Sequence, residues 1–169
     1  MAEAPVLEDT ERTTGRVALR KNIAAAMALS GAVRSTLGPK GLDKLLLDDE
    51  GLTLVTNDGV TVLETARVEH PVARMLIDAS SAQDRAARDG TTSAVVIAAE
   101  LLRNAWHLVL QGVHPSTIVR GYRMAEIEAM THLESIAFEG NEDNLVTAVR
   151  SSLAGKASRG VQTRLADLA

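Results

Sequence analysis

The chain has 169 residues, enough for one domain of ordinary size, and its 46% hydrophobic and 24% charged residues are globular proportions, which exclude a disordered segment. A net charge of −4 with both signs interspersed, and only three aromatic residues (Trp106, Tyr122 and Phe138), leave neither an electrostatic footprint nor stacking platforms for nucleic acid. Cysteine is absent, which excludes disulfides and thiolate metal sites, and with no signal sequence and no apolar run near the roughly 20 residues that cross a bilayer the reading is cytoplasmic, with no membrane partner.

Few aromatics and abundant Ala, Leu and Val predict a mainly α-helical protein whose core comes from close helix packing. Met1 to Thr14 reads as an extended arm ending in a Thr cap. From Val17 to about Leu37, apolar residues at Leu19, Ile23, Met27, Val33 and Leu37 suit one face of a helix that Gly38-Pro39 stops. Lys44–Leu47 and Leu52–Val55, on either side of Asp48-Asp49-Glu50-Gly51, read as a β-hairpin, with Asn57-Asp58-Gly59 as the turn after its second strand. Pro71 opens a helix that ends near Asp89-Gly90. Another starts at Thr91 and runs to Gly112, apolar around its circumference at first and therefore expected to be buried. His114-Pro115 opens a helix that ends near Gly140, followed by a shorter one from about Asp143 to Leu153 and a polar one from about Val161. The residues before Ala169 read as a helix in progress, as if interrupted.

Chemistry concentrates in three places. Asp89-Gly90-Thr91-Thr92-Ser93 puts an acid and three hydroxyls at a helix N-terminus, where free N–H groups and the helix dipole favour an anion, although an ordinary helix cap has the same composition. Leu37-Gly38-Pro39-Lys40-Gly41 offers glycines that admit close backbone approach, or simply terminates its helix. Asn57-Asp58-Gly59 holds a second carboxylate in residues that also suit a plain turn. Together they look like a divided phosphate and magnesium site. It is not a common P-loop, because Gly38-Pro39-Lys40-Gly41 lacks the Gly-Lys-Ser/Thr ending and follows a helix. The four histidines have no metal-binding spacing and read as structural, and Asp84, Arg85 and Arg88 read as a solvated helix face.

The string Thr10-Glu11-Arg12-Thr13-Thr14-Gly15-Arg16, Ser35 to Lys44, Thr56-Asn57-Asp58-Gly59-Val60-Thr61, His70-Pro71, Gln83-Asp84, Asp89 to Ser93, His114-Pro115 and Gly121-Tyr122 closely resembles the group II chaperonins, the thermosome and its eukaryotic cytosolic counterpart. The resemblance implies an ATP-dependent, ring-forming protein-folding machine with unfolded clients, other ring subunits as partners, and ATP or ADP with Mg²⁺ as cofactors. It implies the N-terminal half of an equatorial domain over residues 1–147 and the start of an intermediate domain over 148–169. Position by position, it gives Leu37, Gly38 and Pro39 to the nucleotide, Asp89 to magnesium, Gly90, Thr91, Thr92 and Ser93 to the phosphates, Lys156 to the terminal phosphate, and Asp58 to the attacking water. Arg88 departs from the family pattern, which has Gly before Asp-Gly-Thr-Thr. A second catalytic aspartate, the apical domain and the returning half of the equatorial domain lie outside this sequence, so ATPase activity belongs to a complete subunit. The alternative is a non-catalytic module that docks onto full-length rings.

Overall fold

The first helix, α1 (Gly15–Arg34), buries Ile23, Ala26, Leu29, Ser30 and Val33, a stripe at helical spacing that faces the rest of the chain. The coordinates are a computed structural model that describes residues 13–38, 40–47, 51–66, 68–154, 159–166 and 168. The expected arm before Thr13 and the hairpin residues Asp48, Asp49 and Glu50 lie outside the described residues. Thr14 occupies the N-cap with extended backbone, but its side chain makes no capping hydrogen bond.

The expected pair of strands forms, the second one residue later than read. Strands β1 (Lys44–Leu47) and β2 (Thr53–Thr56) pair antiparallel, with Lys44 opposite Thr56 and Leu47 opposite Thr53. Directly after it stands a helix the sequence reading did not foresee, α2 (Gly59–Thr65). Val60, Thr61 and Val62 are β-branched and weak helix formers, so propensity points away from a helix here. Capping by Asp58 and burial of Val62 and Leu63 override it.

Helices α3 (Pro71–Ala87) and α5 (Pro115–Ile136) begin alike. Proline occupies the first turn, where no N–H is needed, and His70 or His114 at the N-cap accepts through Nδ1 from the N–H of Val72 or Ser116, each at 3.3 Å. His70 and His114 thus serve as helix caps. Between these helices runs α4 (Thr91–Leu110), and α6 (Glu142–Ser152) and α7 (Arg159–Ala166) follow.

The core joins Ala26, Leu29 and Val33 of α1 to Val62 and Leu63 of α2, Ala73 and Leu76 of α3, and Val95 of α4. Ala26 and Ala99 are fully buried, and their small side chains let α1 and α4 approach closely. Burial of α4 is narrower than the sequence implied: Val95, Ala99 and Val109 are covered, whereas Ile97, Leu101 and Leu110 are exposed. At 20 residues α4 is also long and apolar enough to cross a membrane, which corrects the reading that no such run exists. Its role in this fold is different, since it packs on α1 and α3 and carries Glu100 in ion pairs with Arg34 of α1 and its own Arg103. Helix α5 buries only Ile118 and is tied to α4 by Tyr122, whose hydroxyl donates to the Leu101 carbonyl at 2.7 Å.

Candidate functional site

Four chain segments meet around one cleft of about 240 Å³. The loop after α1 contributes Thr36, Leu37 and Gly38, and the β2–α2 turn contributes Asn57, Asp58 and Gly59. The α3–α4 turn supplies Asp89, Gly90, Thr91, Thr92 and Ser93, and the end of α6 supplies Ser151, Ser152 and Ala154.

Each segment is held by local bonding. Thr36 directs both its N–H (2.9 Å) and its hydroxyl (2.8 Å) to the Val33 carbonyl, closing the last turn of α1. The chain then turns through Gly38 at φ 83° and is stapled by the Gly41 N–H to the Gly38 carbonyl at 2.9 Å. Gly41 does not line the cleft. It is required because a Cβ there would overlap the Thr36 carbonyl, so the glycine serves the turn and not a ligand. Lys40 is exposed and outside the lining, and Pro39 lies outside the described residues.

Asp58 is the N-cap of α2. Its Oδ2 accepts from the Thr61 N–H at 3.0 Å and the Thr61 hydroxyl at 2.6 Å, which fixes the carboxylate and, among the described residues, leaves Oδ1 without a partner. Its own N–H donates to the Thr56 hydroxyl at 3.1 Å.

In the third segment, Arg88 and Gly90 both take left-handed backbone, at φ 54° and 78°. The Gly90 N–H donates to Asp89 Oδ1 at 2.8 Å. The N-cap of α4 is Gly90, which has no side chain to cap it, so among the described residues the first N–H groups of the helix stay available for a ligand. Gly59 packs so tightly on Thr92 that any side chain at Gly59 would overlap the threonine hydroxyl. That contact brings the N-termini of α2 and α4 together, and with them the positive ends of both helix dipoles.

The cleft is therefore lined by two carboxylates, several hydroxyls and an uncapped helix N-terminus, and no Lys or Arg side chain lines it among the described residues. An anion entering it is met by N–H and O–H donors but also by Asp58 and Asp89. A divalent cation arriving with the anion reconciles the two, and the hard oxygen donors suit Mg²⁺. The residues present fit a magnesium–phosphate ligand on these grounds.

The structure brings together Leu37, Gly38, Asp58, Asp89, Gly90, Thr91, Thr92 and Ser93 of the sequence-predicted set. Lys156 lies outside the described residues. Sequence reasoning missed Ser151 and Ser152, which reach the cleft only through the tertiary placement of α6. It also gave no role to Ser80 and Gln83, which stand behind the α3–α4 turn. Ser80 is fully buried and its hydroxyl donates to the Thr91 carbonyl at 3.3 Å, while Gln83 Nε2 donates to the Asp89 carbonyl at 3.0 Å. The available signal was a serine at the third position of the stripe Ala73, Leu76, Ser80, where an apolar residue belongs.

Comparison with known proteins follows the same outline. The model of the TCP-1/cpn60 chaperonin family matches residues 29–169. Thermosome subunit alpha of Archaeoglobus fulgidus is 48% identical over 170 aligned positions, covering 97% of this chain and 31% of that protein. The thermosome subunit of Pyrococcus horikoshii is 45% identical, covering 100% of this chain and 32% of that protein. A crystal structure of a group III chaperonin in the open state superposes with a TM-score of 0.76 at 36% identity, over 89% of this chain and 31% of that one. The chain thus spans about a third of the length of the relatives it matches.

Proposed function

The chain belongs to the TCP-1/cpn60 chaperonin family, and from that premise we propose that it carries part of the Mg·ATP site of a chaperonin subunit that assists protein folding as a member of a ring. The observation that supports this most is the convergence of Thr36–Gly38, Asp58 and Asp89–Ser93 on one cleft at the uncapped N-terminus of α4. Residues 1–147 would form the N-terminal half of an equatorial domain and 148–169 the start of an intermediate domain.

Asp89 would hold the metal, the N–H groups and hydroxyls of Thr91, Thr92 and Ser93 would receive the phosphates, and Gly90, whose own N–H is taken by Asp89 Oδ1, would admit them to close approach. Leu37 and Gly38, with Pro39, border the nucleotide. Lys156 is assigned to the terminal phosphate by the family resemblance alone. Magnesium, when bound with ATP, supplies positive charge against the transferring phosphoryl group. Asp58, oriented by its two bonds from Thr61, would position the attacking water through Oδ1, which no described residue engages. The setting is cytoplasmic, and turnover belongs to a complete subunit.

Calorimetric titration with ATP tests the binding claim. Saturable heat is expected with Mg²⁺, sharply reduced when Mg²⁺ is omitted or when Asp89→Asn is introduced; equal heat from wild type and variant contradicts it.

A second reading is favoured by one specific observation. Ile127, Met130, Leu133, Ile136 and Phe138 are each more than half exposed along and just beyond α5. An apolar row of that kind marks an interaction surface, consistent with a module that docks onto full-length chaperonin rings. Co-purification with a ring subunit, in the absence of nucleotide turnover, supports that reading over the first.

A further inference from the structure

We infer that Gln83 is a positioning residue for the Asp89 carboxylate, acting through a peptide plane and not by touching the ligand. This rests on the reading of Asp89 as the metal-holding group. Gln83 Nε2 donates to the Asp89 carbonyl at 3.0 Å. A trans peptide sets its C=O and N–H on opposite sides, so drawing the Asp89 carbonyl toward α3 turns the Gly90 N–H the other way. There it meets Asp89 Oδ1 at 2.8 Å and fixes the carboxylate of the same residue. One peptide unit thus converts a side-chain bond from α3 into the aim of a carboxylate in the cleft.

The neighbouring turn repeats the device. Ser80 lies one helical turn before Gln83 on the same face of α3, and its hydroxyl donates to the Thr91 carbonyl at 3.3 Å. With that carbonyl turned to α3, the Thr92 N–H is left on the opposite side. Gly90 between them allows the device to work twice. Its left-handed φ of 78° suits glycine, and a Cβ there would come within 3.3 Å of Gln83 Nε2, crowding the amide that makes the first bond. Of the pair, Gln83 is the better probe: it is only partly buried, whereas Ser80 sits fully in the core.

The test uses the full chain and two substitutions, Gln83→Met, which keeps length but has no donor, and Gln83→Glu, which turns the donor into an acceptor facing a carbonyl. Two readouts are taken. Amide NMR of the nucleotide-free chain reads the Gly90 and Thr92 N–H resonances, with thermal unfolding confirming that the variants fold. Titration with Mg·ADP reads the affinity. Both variants are expected to move the Gly90 amide signal while leaving resonances of α1 in place. Both are also expected to weaken Mg·ADP about tenfold, the equivalent of roughly 1.4 kcal/mol, with Gln83→Glu at least as damaging. An unshifted Gly90 signal in folded variants overturns the inference whatever the affinity does. A shifted Gly90 signal in a chain that binds no Mg·ADP even as wild type leaves the positioning role standing and overturns the nucleotide reading instead. A shifted signal with unchanged affinity overturns the link from Gln83 to the metal-holding carboxylate.

Discussion

Arg88 holds a backbone conformation that its own Cβ opposes. At φ 54° it is the one non-glycine residue with positive φ among those described, and it immediately precedes Asp89. The chaperonin pattern that this chain resembles has Gly at this position, where a Cβ bears on the backbone approach to the phosphate turn. Arg88 adopts the left-handed geometry a glycine would supply, with its N–H bonded to the Asp84 carbonyl at 2.8 Å. Its guanidinium is largely solvated and reaches Asp84 at 3.4 Å, an exposed pair worth little. Relief of the left-handed strain is offset in part by the greater freedom of glycine in the unfolded chain. Arg88→Gly is therefore expected to stabilise the fold by on the order of 0.5–1 kcal/mol, as measured by chemical denaturation; destabilisation would show that the Asp84 pair outweighs the strain. Residue types were legible at this scale, since Asp58 and Asp89 stood out as acids beside glycines. Their bonding was not. That Gly41 serves a turn, and that Gly59 serves a helix contact, depends on which atoms lie across from them, and no local pattern records that.

At the scale of elements, most helices announced themselves by periodicity and by proline starts, whereas α2 did not. Its run of β-branched residues imitates a strand, and only the Asp58-x-x-Thr61 cap spacing marked it as a helix. The contact between α2 and α4 at Gly59 is what unites two of the site segments. Gly59→Ala should force them apart and cost roughly 1–3 kcal/mol, and adding Thr92→Ala should recover part of that loss in a double-mutant cycle. Additive losses from the two substitutions would contradict the direct contact. Helices α1 and α4 are joined by a different device. Arg34, then Arg103, hold the Glu100 carboxyl below the ordinary carboxylate range. A depressed folded-state value means that the stabilisation is present above the unfolded pKa and disappears as pH falls through the folded one. Glu100→Gln is therefore expected to lower the melting temperature at neutral pH, with the difference from wild type closing in acid below the usual carboxylate range. A gap that persists unchanged in strong acid would assign the effect to packing and not to charge.

For the molecule as a whole, the order of short motifs along the chain made the family legible, and the mainly helical fold with one hairpin follows from the same reading. The convergence of Thr36–Gly38, Asp58 and Asp89–Ser93 was also within reach, because each is a chemically biased loop beside a helix end. What could not be read was how far burial would extend. The apolar pattern of α4 implied cover on all sides, yet Ile97, Leu101 and Leu110 are exposed, as are the apolar residues along most of α5. Periodicity reports which face is apolar but not whether anything in the same chain covers it. The assignment of Lys156 to the terminal phosphate pointed to the chain just after α6, but Ser151 and Ser152 themselves were hidden, since they lie far along the chain from Asp89 and belong to no phosphate-like motif.

The central claim is that segments distant in sequence hold one magnesium–nucleotide ligand, and paramagnetic broadening by Mn·ADP tests it most directly. Mn²⁺ replaces Mg²⁺ and bleaches amide signals according to distance. Gly38, Gly59 and Gly90 to Ser93 are expected to fade together at substoichiometric Mn·ADP, with Asp89→Asn abolishing the effect. Broadening that spares these amides, or that falls elsewhere on a folded chain, would contradict it.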